Sequence, residues 1–162
     1  MKVIRWGILF LVAMMAGFVS ASTKDYAGTW ILNRAKSSGD IEEIADKIIV
    51  TVDAKQFKIE YIKKDGKSDL SEYNLNGKVT KSKRDEEVFI IKIQNKLKLI
   101  ENSEALELTS YWEFEGKNLG AGTRVEISTP PKTFREVWKL QEEGKVLLID
   151  THDRKNLVYD RE

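Results

Sequence analysis

The chain has 162 residues, a length suited to one domain, and its 27 Lys and Arg nearly balance its 26 Asp and Glu. Near-neutrality argues against nucleic acid as a partner, because nucleic acid rewards clustered positive charge. With no cysteine in the chain, no disulfide supports the fold, and lipid anchoring through a cysteine after an apolar leader is excluded.

Residues 1–21 read as a signal peptide. Lys2 and Arg5 supply a positive n-region, Ile8 to Ala16 begin an uncharged apolar core, and Val19-Ser20-Ala21 favours cleavage before Ser22. The apolar core ends near Val19, short of the roughly 20 residues that a spanning helix needs. Cleavage leaves residues 22–162 as one domain with 25 bases against 26 acids. The expected location is the periplasm or the medium, with no stable membrane insertion of the mature chain.

Gly28-Thr29-Trp30 opens the first expected strand. Glycine permits close backbone approach, and Trp30 carries enough apolar surface to plug one end of a small barrel, itself a core-packing role. Next, Asp40 with Glu43 three residues on resembles a capping box, and Ile41, Ile44 and Ile48 follow helical spacing. One short amphipathic helix is predicted over residues 41–47. Such a connector covers a core more often than it gates a mouth.

Period-two alternation then dominates and puts apolar groups on one face of each strand. Ile48, Val50 and Val52 share one parity, as do Phe57, Ile59 and Tyr61. Leu106, Leu108, Trp112 and Phe114 alternate with Glu107, Thr109, Glu113 and Glu115, and Phe134, Trp138 and Leu140 alternate with Arg135 and Lys139. One-faced strands of this kind belong to antiparallel sheets. Asp65-Gly66, Asn76-Gly77, Glu115-Gly116 and Glu143-Gly144 supply hairpin turns. Around three of them an aromatic–polar–apolar–turn–Gly-Lys pattern repeats, which hairpins demand in any case. Pro130-Pro131 mark a strand edge or corner.

No catalytic constellation is visible. His152 stands alone near Asp150 and Asp153, a surface position by default, and no Gly-x-Ser-x-Gly elbow or zinc-type ligand spacing occurs. The Gly116 to Thr123 run lacks the lysine of a phosphate loop, and Lys81 to Glu87 changes sign midway like a solvated turn. No cofactor or metal is expected.

Gly-x-Trp on a first strand followed by an antiparallel meander resembles the calycin superfamily of lipocalins and fatty-acid-binding proteins. Tyr26 to Asn33, Arg135 to Leu140 and Leu157 to Arg161 look like small exported bacterial lipocalin-like domains, most of which have no established function. The resemblance implies that an arginine near the last strand stacks over the first-strand tryptophan. Arg161 matches that position, with Arg154 as second candidate, so Gly28, Trp30 and Arg161 are the expected barrel closure.

The expected fold is therefore all-β, a calycin-like barrel or half-open barrel of about eight to ten antiparallel strands with the short helix after the first. The leading expectation is an exported binding protein holding a small hydrophobic or amphipathic molecule. Trp112, Phe114, Phe134 and Trp138 are its candidate pocket lining. Glu136 shares the inward parity of Phe134 and Trp138, so it lies near a mouth or meets a ligand's polar group. The second expectation is a side-chain-filled barrel that binds a protein partner by its exterior. An enzyme ranks last.

Overall fold

A computed structural model describes residues 22–100, 104–120, 122–153 and 155–162. The expected signal peptide and Arg154 lie outside the described residues. The alternating segments become β1 (Gly28–Leu32), β2 (Lys47–Val52), β3 (Gln56–Ile62), β4 (Ser68–Asn74), β5 (Thr80–Asp85) and β6 (Phe89–Ile100). They continue as β7 (Ala105–Gly116), β8 (Asn118–Gly120), β9 (Thr123–Arg124), β10 (Lys132–Gln141), β11 (Val146–Thr151) and β12 (Asn156–Arg161).

Ten strands pair antiparallel in the order β4-β3-β2-β1-β12-β11-β10-β7-β6-β5, while β8 and β9 form a separate small hairpin. The sheet curls into a nearly closed barrel, as the alternation and the calycin-like resemblance imply. The last strand returns beside the first: Trp30 lies opposite Arg161, and Leu32 opposite Tyr159.

Closure falls between β4 and β5, which share no backbone ladder. Side chains bridge that seam. Asn95, buried at 4% exposure, donates from Nδ2 to the Glu72 carbonyl at 3.2 Å. Ser110 Oγ donates to Asn95 Oδ1 at 2.8 Å and lies 3.3 Å from Tyr73 Oη. Nearer one mouth, Arg84 reaches Asp69 at 2.7 Å. The stretch that had read as a solvated turn is thus mostly strand β5, and Arg84 is one of the groups that close the barrel. Exposed Lys81 and Lys83 on this edge discourage pairing with another chain.

Two local expectations are corrected. The predicted helix over residues 41–47 is absent: residues 41–46 form a turn, in which Asp40 Oδ1 accepts from the Glu42 amide and Ile41 O from the Ile44 amide, and Lys47 already starts β2. The segment is too short to offset the cost of helix nucleation, and its contacts pull it elsewhere. Ile41 and Ile44 pack on the core, Ala45 is buried, and the Ala45 carbonyl accepts from Tyr159 Oη at 2.9 Å. Gly116 is likewise no hairpin turn. It ends β7, where a Cβ would lie 1.8 Å from the Val125 carbonyl oxygen, so glycine admits the returning chain after β9.

One end of the barrel is filled. Trp30, Trp138, Tyr26 and Phe57 are all fully buried. Phe57 packs edge-on against Tyr26 at 6.3 Å and Trp138 at 6.1 Å. Trp30 Nε1 donates to Tyr26 O at 2.9 Å, and Tyr26 Oη donates to Trp138 O at 3.1 Å. Burial pushes the Tyr26 hydroxyl up to about 12, so it stays a donor at any ordinary pH. Outside this plug the Arg161 guanidinium lies 4.4 Å from the Trp30 ring centroid. Gly28 sits beneath it with φ +139°, a conformation that strains any side chain.

Trp30→Ala is expected to lose about 3–5 kcal/mol of stability, because the fully buried ring leaves a cavity in the core. Arg161→Ala should lose only about 0.5–1 kcal/mol, since that guanidinium is exposed. Urea denaturation of both variants checks the order. A larger loss from Arg161→Ala would contradict the plug as the main closure.

Candidate functional site

Inward alternation along β10 sets three side chains at three depths. Trp138 lies in the plug, Glu136 above it, and Phe134, 44% exposed, at the open end. Glu136 is flanked in the ladder by Leu108 of β7 and Thr151 of β11. Its Oε2 accepts from Trp138 Nε1 at 2.7 Å and from Tyr61 Oη at 3.4 Å. Tyr61 belongs to β3, which is no neighbour of β10 in the sheet, so the second bond crosses the barrel interior. Glu136 therefore points into the lumen.

Around it a half-open cavity of about 280 Å³ remains. Its apolar floor is Ile48, Leu108, Ile149 and Leu157, and its rings are Tyr61, Tyr73, Tyr159, Trp112 and Phe134. The 41–46 turn supplies Glu43, Ile44 and Ala45 to the rim, so this connector does sit at the mouth, though as a turn. Asp69 and Arg84 line the seam side, and exposed Lys63 stands at the edge.

Burial raises the Glu136 carboxyl above the usual carboxylate range. The bonds from Trp138 and Tyr61 oppose that rise, and nearby Asp153 adds to it. Burial, with the Glu136 charge second, also raises the hydroxyls of Tyr61, Tyr73 and Tyr159. Arg84 is committed to Asp69 and lies 5.7 Å from the Trp112 ring centroid. Trp112 in turn meets Phe134 edge-on at 5.0 Å, and its Nε1 is buried with no hydrogen-bond partner among the described residues.

Of the five expected lining residues, Trp112, Phe134 and Glu136 do line the cavity. Trp138 does not: its ring is consumed by the plug, against Phe57. Phe114 does not either. The β10 strand covers β7 only as far as Trp112, opposite Lys132, so Phe114 projects past the cavity and packs on Phe89 at 6.2 Å. Sequence reasoning missed Tyr73 and Tyr159, and the Asp69–Arg84 pair. Tyr73 shares its parity with Asp69 and Ser71, a polar-looking face that hides an inward aromatic. Tyr159 stands in a terminal strand where Leu157, Val158 and Tyr159 are all buried, so alternation carries no signal there.

His152 is exposed beside the mouth, and among the described residues no group of three His, Cys, Asp or Glu could hold a metal ion. The geometry is an apolar recess whose lining acids are Glu43, Asp69 and Glu136, of which Asp69 is paired with Arg84.

The raised Glu136 pKa has a sign for stability. Between the ordinary glutamate value and the raised folded one, the folded chain binds more protons than the unfolded chain, so stability falls as pH rises. Glu136→Gln mimics the protonated form. It should raise the urea midpoint at about pH 8, with a gain that shrinks toward about pH 4. A loss of stability at both pH values would mean that the carboxylate is better satisfied than its surroundings suggest.

No protein-family model matches the chain, and no curated protein matches it either. Its architecture is an antiparallel, nearly closed ten-stranded barrel consistent with the calycin type.

Proposed function

We propose that this protein is an exported binding protein of lipocalin-like design, which holds a small apolar or amphipathic molecule inside its barrel. The observation that carries the reading is the contrast between the two halves of the interior. One half is filled by interlocked rings, while the other keeps a recess of about 280 Å³ that opens at the mouth. That volume is close to the lower bound of about 300 Å³ for ligand pockets. It would accommodate about nine waters at about 30 Å³ each, hence a ligand of similar heavy-atom count. Apolar walls with a few polar groups among them suit an amphipathic guest. Export is supported by the basic, apolar and small-residue order of residues 1–21. Among the described residues no helix is long and apolar enough to cross a membrane.

Short-chain and monocyclic apolar compounds titrated into the purified protein should quench tryptophan fluorescence saturably, through Trp112 at the cavity wall. Phe134→Ala should weaken that binding several-fold with little stability loss, because the ring is already partly exposed. Trp138→Leu should instead cost on the order of 2 kcal/mol or more of stability, the ring being core. Absence of saturable quenching across the panel would overturn the binding reading in favour of a filled barrel with exterior contacts. For export, N-terminal sequencing of the secreted fraction is expected to begin at Ser22. Intact Met1 in the membrane fraction would oppose it.

A further inference from the structure

We propose that the guest is an organic cation, a small amine whose ammonium pairs with Glu136 while its apolar body lies among the cavity rings. This deepens the binding reading above and rests on it.

Glu136 is an unusual acid in this barrel. Ten ion pairs join described residues, and Glu136 is in none of them. Its partners are two neutral donors, the Trp138 indole and the Tyr61 hydroxyl. Glu136 is half-buried in the recess, and a carboxylate partly withdrawn from water is costly without a cation beside it. Among the described groups no cation is paired with it. From β3 and β4 the groups facing it are the hydroxyls of Tyr61 and Tyr73, and from β12 that of Tyr159. The turn after β11 contributes only another acid, Asp153. Of the two described cations that line the recess, Arg84 is already paired with Asp69 at 2.7 Å, and Lys63 stands exposed at the edge.

The walls favour the same guest. Tyr61, Tyr73, Tyr159, Trp112 and Phe134 surround the recess, and aromatic faces attract a cation by their quadrupoles. The lining acids Glu43, Asp69 and Glu136 outnumber the bases Lys63 and Arg84 by one, so a monocation brings the site to neutrality. An anionic guest would confront Glu136 and find the lining arginine already engaged by Asp69. A neutral guest would leave the carboxylate as costly as before. The raised Glu136 pKa fits this arrangement, because an ammonium alongside would lower it again. Amine binding should therefore release a proton where Glu136 is protonated, and affinity should rise with pH through that range.

The test compares three probes of nearly equal size on the purified protein by isothermal titration calorimetry: 2-phenylethylamine, 2-phenylethanol and 3-phenylpropanoate. The amine is expected to bind roughly tenfold or more tighter than the alcohol, and the carboxylate most weakly. Glu136→Gln should abolish the preference for the amine while alcohol binding persists. With the unaltered protein, the amine preference should shrink from about pH 8 to about pH 4 while alcohol binding holds steady, a readout that needs no variant to fold. If the alcohol binds as tightly as the amine, or if the preference survives in Glu136→Gln, the cation assignment is wrong and the binding reading stands. If no probe of any charge binds, both fall together.

Discussion

A sheet of ten antiparallel strands closes on itself only when the space it encloses is filled at least in part, because an empty lumen would forgo the dispersion contacts that hold opposite walls together. Here four rings meet that demand at one end. Trp30 and Trp138 come from nearly opposite ends of the described chain, and Tyr26 and Phe57 join them through edge contacts and two backbone-directed hydrogen bonds. The rest of the molecule depends on that plug. It sets how deep the remaining recess runs, and it commits the Trp138 indole N–H to hold Glu136 from below.

The seam between β4 and β5 is the second constraint. A backbone ladder would close the barrel fully, but β5 is short, lysine-rich and hydrogen-bonded on one side only. Closure passes instead through Tyr73, Ser110 and Asn95 in the interior and through Arg84 and Asp69 nearer the mouth. Polar groups that would be costly if buried alone are satisfied by each other across the gap. The same pairing occupies the lining arginine, and Glu136 has no ion-pair partner among the described residues.

These arrangements leave the recess in the mouth half and the interlocked core in the plug half. The division runs through single strands: on β10, Trp138 serves the plug, Glu136 faces the recess, and Phe134 stands at the rim. Residues two apart thus have different roles, although alternation treats them alike. For that reason Trp138 and Phe114 look like lining residues in the sequence and are not.

Period-two alternation and the turn dipeptides were sufficient to read an all-β antiparallel fold, the inward parity of Glu136, and the aromatic character of the interior. Those are local properties, legible because a strand repeats every two residues whatever it packs against. The turn at 41–46 was not legible, since its isoleucines fit helical spacing as well as they fit the core they reach. Nor were Tyr73, Tyr159 and Arg84, whose neighbours in the sequence are polar or buried on both faces. Which inward residues meet across the lumen, where the filled half ends, and which lining acid has no ion-pair partner among the described residues are decided by strand order and curvature. They bring together β3 and β10, separated by more than 70 residues between Tyr61 and Glu136, and no local pattern encodes a contact of that span.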